Sequence, residues 1–251
     1  MQKQILLSIL LALSAGFFTP TLIIADEIRV AVASNFSSTL QALAHKFEAA
    51  TTHKIRLISG STGKHYAQIK HGAPFDVFFA ADRKRPQRLE REGIGLAGSR
   101  FTYALGNLVL WSPKSNFIDA KANVLRQGKF QHLAIANPKL APYGRAAKEV
   151  LKNLGLWKTL SLKLVRGENI GQAFQFVSSH NAELGFLAFS QVKKLQSRIE
   201  GSIWKIPPRL YNPIQQQAIL LKDSPATQAF LRFLKTKEAL GIIKAHGYNG
   251  F

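Results

Sequence analysis

The stretch IRVAVASNFSSTLQALAHKF, residues 28–47, decides the fold because a strand pattern runs directly into a helix pattern. Residues 28–33 form a short apolar, β-branched run that ends at Ser34-Asn35. Apolar residues then recur at helical spacing, namely Leu40, Leu43, Ala44 and Phe47. The stretch therefore predicts a strand, a tight turn and an amphipathic helix.

The same pattern repeats twice downstream. Residues 54–59 (KIRLIS) are strand-like, residues 60–63 (GSTG) form a turn, and a helix begins near Tyr66. Residues 76–80 (DVFFA) are a continuous apolar run typical of a buried parallel strand, and the basic helix of residues 83–92 follows. Three consecutive strand-helix units predict a parallel, doubly wound sheet.

A second α/β lobe is predicted from residue 107 onward. Three further apolar strand patterns lie there, LVLW (108–111), LAIA (133–136) and LGFL (184–187). Residues 216–221 (QQAILL) form a strand pattern with no similar neighbour, so we expect the chain to cross back and complete the first lobe. The predicted division is residues 26–106 plus 217–251 for lobe 1 and 107–216 for lobe 2, joined by a hinge of two crossings.

The first 25 residues have the pattern of an export signal. Lys3 gives a positive start, residues 5–15 are apolar, and Thr19-Pro20-Thr21 breaks a helix before the small residue Ala25. Cleavage after Ala25 would place the mature chain in the periplasm. An uncleaved membrane anchor is the alternative, and the Pro20 break disfavours it.

Composition narrows the function classes without choosing among them. The chain has 251 residues, 46% of them hydrophobic, no cysteine and a net charge of +20. Absence of cysteine excludes disulfides, thiolate metal sites and a cysteine-linked lipid anchor. Lys3 is the only charge in the signal, so the mature chain carries +19. Such a field favours anionic partners, from oxyanions to nucleic acid or acidic lipid.

Four turns that lead from a strand into a helix carry the functional information, namely Ser34-Asn35, Ser61-Thr62-Gly63, Tyr143-Gly144 and Asn169-Ile170-Gly171. Each offers unpaired backbone N–H groups at the positive end of a helix dipole. This chemistry holds an anion without a counter-charge. The alternative is ordinary helix capping, since Ser, Asn and Thr are common N-caps.

Two stretches resemble cofactor-binding motifs, but neither has the neighbouring residues or structure that its motif requires. Residues 93–98 match the dinucleotide fingerprint but follow a helix, the reverse of the required order. Residues 60–64 lack the first glycine of a phosphate loop, and His65 replaces its hydroxyl residue. The seven histidines show no metal-ligand spacing, and we expect most on the surface. We therefore predict no enzyme activity, no cofactor and no residue that ligates a metal directly.

Several segments together resemble the periplasmic molybdate-binding proteins of ABC uptake systems. They are residues 30–48 (VAVASNFSSTLQALAHKFE), 60–82 (GSTGKHYAQIKHGAPFDVFFAAD), 100–113 (RFTYALGNLVLWSP), 134–151 (AIANPKLAPYGRAAKEVL) and 242–250 (IIKAHGYNG). The resemblance covers the mature chain in order. It implies a type II periplasmic-binding fold, with two Rossmann-like lobes whose sheets are mixed and mainly parallel.

The resemblance also implies which residues hold the oxyanion. Carried over by position, they are Ser34 and Asn35, Ser61 or Thr62, Tyr143, and Ile170. Ser34 and Thr62 would donate through hydroxyl and backbone groups, and Thr62 is slightly preferred to Ser61. Asn35, Tyr143 and Ile170 would offer mainly backbone N–H groups. One branch of the family has a tyrosine where this chain has Ala188, so that donor is missing here.

The implied ligand is molybdate or tungstate, and the implied partner is the permease of an ABC transporter in the inner membrane. We expect a monomer and no nucleic-acid partner. Two alternatives stay open. One is another tetrahedral oxyanion such as sulfate or phosphate, and the other is a secreted binder of polyanions or nucleic acid, motivated by the charge.

Overall fold

The computed structural model describes residues 26–193 and 201–249, and within these ranges the chain forms two five-stranded sheets. The predicted signal peptide lies outside the described residues. Among the helices of the described ranges, none has the length and apolar character needed to cross a bilayer.

The first sheet has the strand order β2-β1-β3-β10-β4. Its strands are β1 (Glu27–Ala33), β2 (Lys54–Gly60), β3 (Val77–Ala80), β4 (Phe101–Gly106) and β10 (Ile214–Leu220). Strand β1 pairs in parallel with β2 and β3, whereas β10 pairs antiparallel with β3 and β4. The helices of this first lobe are α1 (Ser37–Ala50), α2 (Thr62–Lys70), α3 (Lys84–Arg91), α8 (Pro225–Leu234) and α9 (Lys237–Ala245).

Helix α1 forms where the apolar spacing predicts it. Its residues Leu40, Leu43 and Phe47 are buried, and they belong to one core cluster with Val30 and Phe79 of the sheet. Burial of each such side chain contributes about 1.5–3 kcal/mol. This packing fixes the start of α1, and with it the turn at the end of β1, against the sheet.

The second sheet has the order β7-β6-β8-β5-β9. Its strands are β5 (Leu108–Ser112), β6 (Leu133–Ala136), β7 (Leu164–Gly167), β8 (Leu184–Ala188) and β9 (Ser202–Lys205). Strand β6 pairs in parallel with β7 and β8, while β5 is antiparallel to β8 and β9. The helices of this second lobe are α4 (Asn123–Gln127), α5 (Pro142–Asn153), α6 (Ile170–Ser178) and α7 (Phe189–Lys193).

The chain passes between the lobes twice in the described ranges. It leaves the first sheet at Gly106 and enters the second at Leu108, and it returns just before Ile214. The predicted two-lobe α/β architecture is confirmed, and β10 completes the first sheet as expected. Strand β10 starts two residues earlier than the predicted 216–221 strand, and the division at residues 106 and 217 stays a prediction.

Three local details differ from the sequence analysis. Helix α5 begins at Pro142, because proline fits the first helical position, so Tyr143 and Gly144, predicted as a turn, already belong to the helix. Strand β9 was not predicted, since its partner β5 lies about ninety residues away along the chain. His65 is buried in the core of the first lobe, although most histidines were expected on the surface.

Candidate functional site

A small cavity lies between the lobes, where β1, β2, β6 and β7 end and helices begin. Its volume is about 10 Å³. All six predicted site residues line it, Ser34, Asn35, Ser61, Thr62, Tyr143 and Ile170. The structure therefore brings the four predicted turns together, two from each lobe. Whether each residue contacts a ligand stays a prediction.

The first turn joins β1 to α1. The Gly171 N–H donates to Ser34 Oγ across the lobes at 3.1 Å. Because the Ser34 oxygen accepts this bond, its hydroxyl proton is free to donate elsewhere. The carbonyl of Asn35 accepts from Tyr248 OH at 2.7 Å and from Ser190 Oγ at 3.2 Å. These two bonds to its carbonyl fix the orientation of the Asn35 peptide.

The second turn is the start of α2. Ser61 is its N-cap and accepts from the Lys64 N–H at 3.2 Å. Thr62 Oγ1 accepts from the Ala81 N–H at 3.0 Å. Each hydroxyl oxygen thus accepts a hydrogen bond from a backbone N–H. Both hydroxyl protons therefore stay available to an acceptor in the cavity. Ser61 and Thr62 are both buried at this helix start.

The second lobe contributes the starts of α5 and α6. Tyr143 is the second residue of α5, and Ile170 is the first residue of α6. Asn169 caps α6 by accepting from the Gln172 N–H at 3.0 Å. The first N–H groups of a helix have no partner within the helix, so those of Tyr143 and Ile170 are free to donate to a ligand. Two helix dipoles add a positive potential at the cavity.

The residues that line the cavity are all uncharged. Charged side chains near the cavity link the two lobes. Asp82 Oδ2 accepts from Arg85 at 2.6 Å and from Arg145 at 2.9 Å, and this ion-pair cluster is called the Asp82 clasp below. Asp82 and Arg85 belong to the first lobe and Arg145 to α5 of the second. Asp82 Oδ1 also accepts from the Arg85 N–H at 3.0 Å. The interlobe role had no sequence signal.

Further contacts show that the lobes are closed on each other. The Gly63 N–H donates to the Leu140 carbonyl at 2.8 Å across the cleft. A Cβ on Gly63 would lie 2.9 Å from that carbonyl oxygen, and one on Gly171 would lie 3.3 Å from Ser34 Cβ. Glycine at these positions therefore permits the close approach of the two lobes.

A buried polar cluster lies behind the cavity at the hinge. It contains Asn35, Tyr103, Tyr143, Gln216 and Tyr248. Burial raises the pKa of each of the three phenols, so all three are neutral at ordinary pH. Only Asn35 and Tyr143 of this cluster were predicted as site residues. The others carry no local signal, because they come together only when distant segments of the chain pack.

Comparisons with known proteins give the family of this chain. A family model described as bacterial extracellular solute-binding protein matches residues 28–249. The molybdate-binding protein of Azotobacter vinelandii is 52% identical over 227 residues, which cover 89% of this chain and 90% of that protein. This chain belongs to the ModA family of solute-binding proteins.

Two further relatives support the assignment to the ModA family. The molybdate-binding protein of Rhodobacter capsulatus is 45% identical over 241 residues, 95% of this chain and 93% of that protein. The solved periplasmic molybdate-binding protein of Azotobacter vinelandii superposes with a TM-score of 0.85 at 43% identity, and covers 89% of this chain and 99% of that chain. The two proteins therefore share one fold over nearly their whole length.

His65 of this ModA-family chain lies beneath the second turn and makes stability depend on pH. Its ring nitrogens lie 3.2 Å from the Val32 carbonyl oxygen and 3.1 Å from Gln68 Oε1. Burial lowers its pKa below the ordinary 6.5, and the charge of Lys64 acts in the same direction. The unfolded chain therefore binds a proton that the folded chain excludes, and stability falls as pH drops below about 6.5.

We expect the melting temperature of the protein to fall between pH 7.5 and pH 5.5, with His65 contributing up to about 1.4 kcal/mol per pH unit. Replacing His65 with glutamine should flatten this dependence. The exposed His45 is the matched control, and its glutamine variant should keep the wild-type slope. Equal slopes in all three proteins would contradict the assignment of this effect to His65.

Proposed function

We propose that this protein captures molybdate or tungstate in the cavity between its lobes and delivers it to the permease of an ABC transporter. The observation that carries the proposal is the convergence of four neutral turns on one small uncharged cavity. The names of its close relatives support the same ligand. The cavity is small, which disfavours an extended organic ligand or a nucleic acid.

Neutral donors are sufficient to hold a dianion when they are numerous and fixed in place. The anion loses its hydration shell in the cavity, so each oxygen needs replacement donors. Hydroxyls of Ser34, Ser61 and Thr62 and the backbone N–H groups of the turns supply them. Hydrogen bonds to a charged group contribute about 1.5–3 kcal/mol each. Six or seven such bonds outweigh dehydration and lobe closure and give submicromolar affinity.

Selectivity follows from size and proton content. Sulfate is smaller than molybdate, so a cavity closed to fit molybdate leaves donors unpaired around sulfate. Hydrogen phosphate carries a proton that needs an acceptor, whereas the cavity lining offers mainly donors. Molybdate and tungstate are nearly equal in size, so we expect both to bind.

Binding without catalysis is the role we propose. A hydrolytic or transfer reaction needs a nucleophile with a base or a metal beside it. The cavity is lined by uncharged residues, and the described ranges contain no group of three or more His, Asp or Glu side chains placed to hold a metal ion. The +19 charge then serves to speed capture of the anion by electrostatic steering.

We further propose that the protein is exported by a signal peptide cleaved after Ala25 and works as a monomer in the periplasm. Closure of the lobes around the ligand would form the surface that the permease recognises. The amino terminus of the protein isolated from the periplasmic fraction tests the cleavage, and light scattering of the same sample tests the monomer.

The binding proposal is tested by thermal unfolding of the mature protein with molybdate, tungstate, sulfate and phosphate at fixed ionic strength. Ligand at a thousand times its Kd adds about 4 kcal/mol of stability. For a chain of this size the melting temperature should rise by roughly 8–16 °C. We expect this rise with molybdate and tungstate and little change with the other two anions.

The other outcomes separate the alternatives. A larger rise with sulfate or phosphate would keep the binding mechanism and replace the ligand. No rise with any of the four anions would contradict oxyanion binding and favour the polyanion binder instead. In that case retention on DNA that falls steeply with salt would be the next measurement.

A further inference from the structure

Gln216 lies fully buried at the hinge, where the chain returns from the second lobe to the first. It belongs to β10, which pairs antiparallel with β4. The register between these strands shifts between Gln216 and Gln217, so Tyr103 of β4 is an extra, unpaired residue. Such bulges redirect side chains and occur often beside functional sites. Here the shift places Gln216 and Tyr103 side by side.

The side-chain oxygen of Gln216 faces the first lobe. Oε1 accepts from Asn35 Nδ2 at 2.6 Å and from Tyr103 OH at 3.2 Å. Asn35 Nδ2 also lies 3.1 Å from Tyr248 OH, whose hydroxyl donates to the Asn35 carbonyl. The Asn35 turn is therefore held by its side chain and by its peptide together.

The side-chain nitrogen of Gln216 faces the second lobe. Gln216 Nε2 and the Tyr143 hydroxyl both lie where a side chain on Gly106 would point. Neither atom has a hydrogen-bond partner of good geometry within the described ranges, and both are buried. The Gln216 amide nevertheless opposes the rise that burial causes in the pKa of Tyr143. One buried amide thus bonds Asn35 of the first lobe and lies near Tyr143 of the second.

We propose that Gln216 is a positioning residue that couples closure of the lobes to the shape of the anion site, an inference that rests on the proposed function. Its oxygen holds the Asn35 turn in both the open and the closed protein, because Asn35 and Gln216 belong to the same lobe. Its nitrogen meets Tyr143 only when the second lobe closes. Closure is therefore favoured when the Asn35 turn is in the orientation that binds the anion.

An amide is the group that this position requires. Its oxygen accepts from Asn35 and Tyr103, and its NH₂ group, in the same plane, is a donor that lies near the Tyr143 hydroxyl. A carboxylate would offer no donor to Tyr143 and would add a negative charge near a bound dianion. An apolar side chain would remove the acceptor of the 2.6 Å bond from Asn35 Nδ2, leaving that amide with Tyr248 OH and the Tyr103 hydroxyl with the Ala80 carbonyl.

The test compares Gln216→Met with Gln217→Leu in the mature protein. Gln217 is a matched control on the same strand, because its amide bonds Arg100 and Thr102 on the side away from the cavity. We expect Gln216→Met to weaken molybdate binding by about 10- to 30-fold, mostly through faster dissociation, since the closed state loses support. Gln217→Leu should lower the melting temperature and leave the Kd within about threefold.

A second variant, Gln216→Glu, keeps the acceptors for Asn35 and Tyr103 and so retains most of the support for folding. We expect its molybdate affinity to be below that of the wild type and to weaken further as pH rises and the introduced carboxyl ionises. The wild type should show no such pH profile. This variant tests the role of the amide even if Gln216→Met does not fold.

The outcomes separate the two proposals. Absence of molybdate binding by the wild type would overturn the proposed function and this inference with it. Wild-type binding combined with unchanged Kd and dissociation rate in Gln216→Met, or in Gln216→Glu at every pH, would overturn this inference alone. An equal loss of affinity in Gln217→Leu would also overturn it, since the effect would then belong to the strand and not to the amide.

Discussion

Replacing Gly106 with alanine is expected to weaken molybdate binding by about 100-fold or more and to leave the ligand-free protein folded. A Cβ at this position would collide with the Tyr143 hydroxyl and lie 2.9 Å from Gln216 Nε2. Overpacking of this kind costs about 3 kcal/mol in the closed arrangement. The open protein avoids the collision, because Tyr143 moves away with the second lobe.

Isothermal titration with molybdate and thermal unfolding without ligand measure the two parts of this prediction for Gly106→Ala. Gly241 provides the control, since it lies in α9 and a Cβ there would meet nothing within 4 Å. Gly241→Ala should bind as the wild type does and should be more stable by about 0.4–1 kcal/mol. Wild-type affinity in Gly106→Ala would mean that Tyr143 does not approach the hinge in the bound state.

The fold was predictable where short-range patterns carry it. The run of residues 28–47 predicted β1, its turn and α1, because strand and helix periods are read within a few residues. The return of β10 to the first sheet was also predicted. Strand β9 was missed because four residues with a distant partner leave no period to detect. Burial of His65 was missed because a polar residue gives no sign of which side of a helix faces the core.

The candidate site divides in the same way. The turns at Ser34 and Tyr143 were found because a strand end, a helix start and small or hydroxyl side chains occur together in sequence. Gly106, Gln216 and the Asp82 clasp were not found, because each acts through a residue of the other lobe or of a distant strand. Their roles depend on how the lobes meet, and no local pattern encodes that contact.

Ser34 should be the hydroxyl whose loss weakens molybdate binding most. It serves two purposes, because its oxygen accepts from the Gly171 N–H of the second lobe and its proton is free for the anion. Ser61 and Thr62 accept only from N–H groups of their own lobe. Ser34→Ala therefore removes a charge-assisted bond and an interlobe bond together, about 2–4 kcal/mol, or roughly 30- to 800-fold in Kd.

The melting temperature of ligand-free Ser34→Ala should stay near the wild-type value, because the bond to Gly171 exists only while the lobes are closed. Ser37 is a suitable control in the same segment, since its hydroxyl donates to Ser59 on an exposed surface at 2.6 Å. Ser37→Ala should keep the Kd for molybdate within about threefold. If Ser34→Ala and Ser37→Ala bind equally well, the Ser34 hydroxyl does not hold the anion, and the first turn contributes through its backbone N–H groups alone.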